Sequence, residues 1–543
     1  MMMRDKIFKT LDRLVKMPSI SGTEKENLAV DEIYNILMDI DYFRNNKSNV
    51  KVHNIEGDMH NRCFLTALLE GKKPSKDIII LTGHLDVVDI DEFGILKNIA
   101  FDYKEYTKRV SDLVLDQDSE KDLYSNEWIF GRGTADMKYG LALYIELIRE
   151  LSKDRDFKGN ILFLAVPGEE SNSEGMLGAI PYLSKLKEDG YNFKSLFLSE
   201  CCIPKYEGDD AKRIYIGSVG KIMPTFFCVG KATHVGNPFG GVNPNLLVSE
   251  INKLMEYNVQ LSDKYEKDIT PPPVCLKQSD LKELYSVQNP VYAYSYYNLL
   301  TIQKTPEEIM ENLKDIARDA FYNTLKIMKE NYKKYKAIYE SKLEADLDIE
   351  PKIITFEELY KEVLKENKDF EKYIETAIEK WKEEKLDNQT IGIKIIKETF
   401  EQYKYQRPMI VIAYNVPYYP HRYFDSENPK YNNLLNSLDN MRIHAKEKYD
   451  IDIGKENFFM GISDLSYTGL NEKFDIESIC GNMPGLGYTY KFPEKELKKF
   501  DIPSVVFGGF GKDFHKYTER LNIPYSMDIV PELYMYILKE MLQ

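Results

Sequence analysis

Four short apolar runs alternate with longer amphipathic segments along the chain. Each run ends in polar or charged residues, as buried strands do where they emerge from a sheet. The runs are "DIIILTGHLDVVD" (77–89), "NILFLAVPGEES" (160–171), "SLFLSECC" (195–202) and "IPSVVFGGFGKDFH" (502–515). Between these runs, apolar residues recur at helical spacing, for example in "MKYGLALYIELIRELSK". The pattern predicts an α/β domain with a mostly parallel, mixed sheet flanked by helices.

The fourth run stands near the C-terminus, which indicates that an insertion interrupts the sheet. The insertion begins near Arg213, where "RIYIGSVGKIMPTFFCVGK" alternates like two strands separated by a glycine break. A helical section rich in Lys, Glu and Tyr follows over 305–386, and "RPMIVIAYNVP" (407–417) predicts another strand. We therefore predict one α/β domain in two segments, interrupted by an α+β domain. The predicted boundaries are 1–212, 213–418 and 419–543.

The N-terminal sequence pattern predicts two helices. It does not have the pattern of a targeting signal. Apolar residues recur on one face of the first helix, without a continuous core of signal-peptide length. Thr23 and Glu26 predict a capping box at the start of the second helix. No stretch approaches the length of a membrane span, so we expect a soluble, cytoplasmic protein.

Composition narrows the possible partners. The formal net charge is −15 and 30% of the residues are charged, which argues against a nucleic-acid partner or an anionic membrane. The six cysteines form no CxxC pair. We interpret them as small buried thiols in a reducing compartment.

Acidic residues and histidines stand at or just beyond the ends of the predicted strands, where open α/β sheets build their sites. Taken singly, each has an ordinary explanation: a satisfied histidine beside a turn, a helix-capping aspartate, a solvated loop or a strand-terminating charge. They are His84 and Asp86 in "GHLD", Asp136 in "GRGTADMKYG", Glu169 and Glu170 in "PGEES", Glu200 in "FLSE" and His515 in "GKDFHKYTERL".

As a set, these residues indicate a hydrolytic metal site. Oxygen and imidazole ligands without thiolate suit zinc, cobalt or manganese. Five ligands exceed the need of one catalytic zinc and fit two ions that share a bridging carboxylate and a water. Asp86 could orient the imidazole of His84. Glu169 is the spare group that could move a proton, and in an extended backbone its side chain and that of Glu170 would diverge.

The motifs, in this order, resemble the di-zinc metallopeptidase family of aminoacylase, acetylornithine deacetylase, succinyl-diaminopimelate desuccinylase and glutamate carboxypeptidase. The resemblance implies that one zinc ion binds His84, Asp136 and Glu200, and that the other binds Asp136, Glu170 and His515. It also implies that the Asp136–Met137 peptide is cis.

The resemblance implies catalytic roles as well. Asp86 would orient His84, and Glu169 would act as the general base on a metal-bridged water. The insertion would be a lid, in which "GKATHVGNPFGGVNPN" resembles the family's histidine motif. His234 would then polarise the scissile carbonyl, in its own subunit or in a neighbouring one, although it could equally be an ordinary loop histidine. Weaker candidates for substrate binding are Asn243 in the same stretch and Ser463 and Asp464 in "GISD".

The enlarged insertion and "GKDFHKYTERL" look most like the arginine-utilisation protein branch of this family. We therefore predict a hydrolase that cleaves an amide bond of a small N-acyl amino acid or short peptide in arginine or amino-acid degradation, with two Zn²⁺ (or Co²⁺ or Mn²⁺) per chain. A homodimer through the lid is a further possibility. The alternatives are a di- or tripeptidase with the same site and a non-catalytic binding protein that kept the fold.

Overall fold

A computed structural model describes residues 2–339, 345, 347–424, 428–470 and 476–542. The strands are β1 Val50–Asn54, β2 Cys63–Glu70, β3 Asp77–His84, β4 Trp128–Phe130, β5 Asn160–Val166, β6 Asn192–Leu198, β7 Lys212–Tyr215, β8 Gly220–Val229, β9 Lys264–Tyr265, β10 Asp268–Ile269, β11 Val274–Asp280, β12 Tyr292–Thr301, β13 Ile353–Thr355, β14 Met409–Tyr419, β15 Ile453–Glu456, β16 Ser504–Val506, β17 Gly511–Lys512 and β18 Arg520–Asn522.

The α-helices lie before, between and after these strands. They are α1 Met3–Val15, α2 Glu26–Met38, α3 Asp41–Asn45, α4 Tyr103–Arg109, α5 Gln117–Ser125, α6 Lys138–Leu151, α7 Glu174–Glu188, α8 Pro244–Met255, α9 Pro306–Tyr339, α10 Phe356–Glu366, α11 Phe370–Glu383, α12 Asn388–Glu401, α13 Asn432–Tyr449, α14 Glu477–Cys480, α15 Glu494–Leu497 and α16 Val530–Leu542. Among the described residues, we find no helix whose length and apolar character would let it span a bilayer.

The chain divides into two compact units. The first comprises Met1–Ser218, Arg422–Leu470 and Pro493–Gln543, and the second comprises Val219–His421 and Asn471–Phe492. Strand β7 lies in the first unit because it pairs with β15 and β16. The first unit therefore extends beyond the predicted boundary at residue 212. Its last segment is also interrupted, because Asn471–Phe492 belongs to the second unit. The prediction assigns all of 419–543 to the first unit.

The first unit is built on an eight-stranded sheet of order β1-β2-β5-β3-β6-β16-β7-β15. Its centre, β5-β3-β6-β16, is parallel, whereas β1, β2 and β5 pair in antiparallel fashion. Every residue of β5 is buried, as expected for a strand covered on both faces. Helix α6 packs against α1, α16 and β3, and α16 also packs against β3, while α2 and α7 pack against β2. This mixed, mostly parallel sheet flanked by helices confirms the predicted fold class.

The second unit has its own sheet, of order β11-β12-β8-β14-β13. Nearly all of β8 and β14 is buried, so helices must cover both faces. Alternate residues such as Phe227, Val229 and Val411 pack with Ile378 and Trp381 of α11 in one apolar cluster with α10 and α12. Helices α8 and α9 also pack against β8. The described part of the predicted helical section 305–386 thus forms α9, α10 and α11 with the short strand β13, while residues 340–344 and 346 of that section lie outside the described residues.

Replacing Ile378 by Ala should destabilise the second unit. The side chain is completely buried in the α11 cluster, so its loss removes apolar contacts and leaves a cavity that costs about 2–5 kcal/mol. Urea unfolding can be followed by the fluorescence of Trp381, which lies in the same cluster, in a Trp128→Phe background. The exposed Glu375 on the same helix provides the control, Glu375→Ala. An unchanged midpoint for Ile378→Ala would contradict the assignment of this cluster as the unit's core.

Candidate metal centre

The three central parallel strands of the first unit end at one edge of the sheet. His84 is the last residue of β3, and Glu200 stands two residues beyond β6. Glu169 and Glu170 follow β5 in a turn. Because β5, β3 and β6 are neighbours and parallel, their carboxyl ends bring these side chains together. Asp136 and His515 reach the same place from loops.

The imidazole of His84 is held from both sides. Its Nδ1 lies 3.0 Å from the backbone carbonyl oxygen of Asp86, and since a carbonyl can only accept, Nδ1 carries a proton. Its Nε2 lies 3.0 Å from Asp136 Oδ1 and 3.2 Å from Glu200 Oε1. Burial alone would lower the pKa of His84, but the charge of Glu200 and the hydrogen bonds with Asp136 and Asp86 outweigh it and hold the pKa well above its usual value.

The imidazole of His515 contacts a second pair of carboxylates. Its Nε2 lies 3.2 Å from Asp136 Oδ2 and 3.1 Å from the Glu170 carboxylate. Hydrogen bonds with these two groups raise the pKa of His515 to about 11.

Asp136 therefore stands between the two imidazoles, with one carboxylate oxygen toward each. Burial would raise its pKa, yet the hydrogen bonds from His515 and His84 hold the pKa of Asp136 well below its usual value. The Asp136–Met137 peptide is cis, as the family resemblance implies.

Within the part of the chain that the structure describes, three groups of side chains have their potential ligand atoms within 4.8 Å of one another. They are His84/Asp136/Glu200, Asp136/Glu170/His515 and His84/Glu169/Glu170. The first two are the ligand sets that the resemblance implies, with Asp136 common to both. The third shows that the carboxylates of Glu169 and Glu170 both approach His84. They do so because the backbone turns after Val166 rather than continuing as an extended strand.

The donor set suits divalent cations. Burial, with the charge of Asp136, raises the pKa of Glu170 to about 7. Burial also raises the pKa of Glu200 and, strongly, that of Glu169. Such a concentration of half-buried and buried carboxylates is unfavourable unless positive charge balances it. Carboxylate oxygens and imidazole nitrogens are the ligands that zinc, cobalt and manganese accept.

A buried ion pair holds the two loops that contribute Asp136 and His515. Glu519 Oε1 accepts hydrogen bonds from the backbone N–H groups of Ala135 and Asp136, at 3.1 and 3.3 Å. Glu519 Oε2 accepts one from Arg132 Nη1 at 2.6 Å. Arg132 Nη2 in turn donates to the carbonyl oxygen of His515 at 3.0 Å. Glu519 is not among the predicted site residues, because no local sequence pattern marks it. Arg132 lies inside the quoted "GRGTADMKYG" motif without an assigned role.

Asp86 is fully buried behind the centre, and its carboxylate has a broader role than the predicted one. The carboxylate oxygen nearest to His84 Nδ1 is 3.5 Å away, so the carbonyl of Asp86 makes the shorter contact. The two carboxylate oxygens accept the backbone N–H groups of Glu169 and Glu170, at 3.2 and 3.1 Å. Asp86 therefore positions both the imidazole and the turn that carries the two glutamates.

The weaker candidates fall in different places. Ser463 is buried, and its hydroxyl lies 3.3 Å from that of Ser218. Asp464 is also buried. No described residue makes a hydrogen bond of normal geometry with either of its carboxylate oxygens. A weaker contact with the Ser173 side chain favours the ionised form of Asp464. Burial raises the pKa of Asp464 to about 7. His234 and Asn243 belong to the second unit, whereas all members of the three ligand groups belong to the first.

Comparisons with known proteins identify the family. The model of "Peptidase family M20/M25/M40" matches residues 80–446, which is more than half of the chain. The chain is 34% identical to the uncharacterized protein YqjN of Bacillus subtilis (strain 168), over 99% of this chain and 97% of that protein. It is 31% identical to protein RocB of the same organism, over 96% of this chain and 92% of RocB. Both alignments cover nearly the whole of this chain, including most of residues 305–386.

A solved structure shares the fold. The M20 family metallo-carboxypeptidase Sso-CP2 from Sulfolobus solfataricus matches with a TM-score of 0.54 and 13% identity, over 99% of this chain and 100% of that one. The predicted family membership is confirmed by these matches. The chain belongs to peptidase family M20/M25/M40, whose members are metal-dependent hydrolases.

Proposed function

We propose that this protein is a two-metal amidohydrolase that cleaves an amide bond of a small N-acyl amino acid or a short peptide in amino-acid degradation. The observation that carries the proposal is the pair of ligand groups that share Asp136, His84/Asp136/Glu200 and Asp136/Glu170/His515. Two bound cations, Zn²⁺ or alternatively Co²⁺ or Mn²⁺, would supply Lewis-acid polarisation and lower the pKa of a water.

Glu169 is the proposed general base. It shares a turn with the proposed ligand Glu170, which contacts His515 at 3.1 Å. Glu169 itself belongs to neither of the two ligand groups that share Asp136. Burial raises the pKa of its carboxyl group well above the usual value, which suits a group that takes a proton from water and returns it to the leaving amine. Its half-buried position leaves it accessible to substrate.

His234 is proposed to donate a hydrogen bond to the scissile carbonyl oxygen. Its Nδ1 accepts the backbone N–H of Gly236 at 3.0 Å, so the proton of the neutral ring resides on Nε2. An exposed Nε2–H is the donor that a developing oxyanion requires. Asn243 caps α8 through its side-chain oxygen, and with Ser463 and Asp464 it remains a candidate for substrate binding. Homodimerisation through the second unit and a cytoplasmic location also stay predictions.

Substrate chemistry separates the alternatives. A screen should measure amine release from N-acyl amino acids, dipeptides and tripeptides, each with zinc, cobalt or manganese, and include arginine derivatives because the motifs resemble the arginine-utilisation branch. Preference for N-acyl amino acids would support the deacylase, and preference for free N-termini would support a di- or tripeptidase. No turnover, together with less than one bound metal ion per chain after zinc addition, would favour a non-catalytic binding protein.

Glu169→Gln and Glu170→Gln should separate catalysis from metal binding. Glu169→Gln should keep both metal ions, because its neighbour supplies the ligand, and lose about 10²–10⁴-fold in kcat with the best substrate of the screen. Glu170→Gln should instead lose metal, as measured by elemental analysis. Near-normal turnover by Glu169→Gln would refute the assignment of the base.

Glu519→Gln should weaken metal binding although Glu519 is not a proposed ligand. The substitution removes the negative charge that pairs with Arg132 and leaves one oxygen in place of the two that accept from Arg132 and from the backbone of Ala135 and Asp136. We therefore expect about a 10-fold loss of zinc affinity in a chelator competition. Glu146→Gln is the control, because Glu146 is equally buried and bonded to Thr10 and Arg149. Equal affinities for the two variants would contradict the positioning role.

Metal binding should release protons and strengthen with pH. Without cations, His515 with a pKa of about 11 is protonated at pH 7, and Glu170 with a pKa of about 7 is protonated in part. A ligand must lose its proton, so raising the pH from about 6 to 8 should increase the apparent affinity. Calorimetry in two buffers of different ionisation enthalpy counts the released protons. His515→Ala should release fewer, whereas His444→Ala should match the unmodified protein. Equal proton release by both variants would show that His515 is no ligand.

A further inference from the structure

Three consecutive backbone N–H groups of the Glu169 turn each meet an oxygen of a buried carboxylate. Gly168 donates to Glu26 Oε2 at 2.7 Å. Glu169 and Glu170 donate to Asp86 Oδ1 and Oδ2 at 3.2 and 3.1 Å. Glu26 and Asp86 are both completely buried. The turn is therefore held through its backbone, independently of what its side chains bind.

Glu26 ties this turn to the segment that precedes α2. Its Oε1 accepts the backbone N–H groups of Gly22 and Thr23, at 2.8 and 3.3 Å, and Arg62 Nη1 at 3.1 Å. The bond to Thr23 is the half of the predicted capping box that forms, whereas α2 begins without a side-chain cap. Burial raises the pKa of Glu26 to about 8, and Arg62 opposes this rise. Four donors meet this one carboxyl group, and its carboxylate form can accept all four hydrogen bonds.

Arg62 connects both flanks of the turn. Its guanidinium is buried and pairs with Glu26, with Asp58 at 2.5 Å and with Glu174 Oε1 at 3.0 Å. The Glu174 carboxylate also accepts the Ser171 hydroxyl and the Asn172 amide, at 3.1 and 2.9 Å. One buried cation thus organises the carboxylates before and after the two glutamates.

Gly168 allows this close approach. Its φ is +76°, and a Cβ there would lie 2.8 Å from Arg62 Nη1 and 2.5 Å from Glu174 Oε2. A side chain at this position would collide with the network or push the turn away from it.

We infer that Glu26, held by Arg62, is a positioning residue of the reaction: it fixes the turn at Gly168 so that the adjacent Glu169 stands where it can take the proton of the attacking water. This inference rests on the proposed function, because it assigns Glu26 an effect that acts through Glu169. A misplacement of about 1 Å in a reacting group can cost about 10²-fold in rate. Asp86 accepts only the backbone N–H groups of Glu169 and Glu170, so the N–H group of Gly168 depends on Glu26.

Glu26→Gln is the first test. Its side-chain amide cannot serve Arg62 and all the backbone donors at once, so the turn should loosen. We expect kcat to fall about 10–100-fold with the best substrate of the screen, KM to change less than about threefold, and zinc content to stay unchanged. Hydrogen exchange of the peptide 164–175 should accelerate. Glu146→Gln, the matched buried glutamate, should leave kcat and this exchange unchanged.

A double-mutant cycle distinguishes positioning from general damage. If Glu26 acts through Glu169, then adding Glu26→Gln to Glu169→Gln should lower kcat less than about twofold further. If the two substitutions act independently, the fold losses in kcat of the two single variants would instead multiply. Multiplicative loss, or a single variant with normal kcat and normal exchange, would overturn the inference. Near-normal activity of Glu169→Gln would instead refute the proposed base, and this inference with it.

Arg62→Lys is the second variant, for use if Glu26→Gln does not fold. It keeps the positive charge but cannot contact Glu26, Asp58 and Glu174 simultaneously. It should accelerate exchange over 164–175 and lower kcat at unchanged zinc content. Unchanged exchange and unchanged kcat in this variant would overturn the inference.

Discussion

The carboxylate of Asp136 lies between two imidazoles, and the arrangement of the centre depends on that shared position. Its Oδ1 contacts His84 at 3.0 Å and its Oδ2 contacts His515 at 3.2 Å. His84 ends a central strand, while His515 lies in a loop near the C-terminus. One side chain therefore links segments that are far apart in sequence, and it does so with a buried charge. Such a charge is tolerated only where donors or cations surround it.

Two kinds of support give the centre its geometry. The parallel strands β3, β5 and β6 bring His84, the two glutamates and Glu200 to one edge through backbone register alone. Asp136 and His515 lie in loops, where no register exists. For them the buried pair Arg132–Glu519 provides the missing constraint, since it bonds to the backbone of both loops. The loops that carry Asp136 and His515 are thus tied to one buried ion pair.

Much of this arrangement is predictable because buried parallel strands appear as apolar runs and chemistry begins at their first polar residues. His84, Glu170 and Glu200 are found in this way. Glu519 is not, because its partner Arg132 is 387 positions away and no local pattern relates them. Strand β7 illustrates the same limit: four alternating residues do not reveal that their partners are β15 and β16 rather than the strands of the insertion.

The turn after β5 shows why local geometry also escapes pattern analysis. An extended backbone would direct Glu169 and Glu170 to opposite sides, but the positive φ of Gly168 and the carboxylates of Glu26 and Asp86 bend it, so that both approach His84. The resulting acid cluster needs positive charge, which protons on His84 and His515 or bound cations can supply. The same Nε2 cannot hold a proton and ligate a cation. Folding, proton binding and cation binding are consequently linked at these two nitrogens.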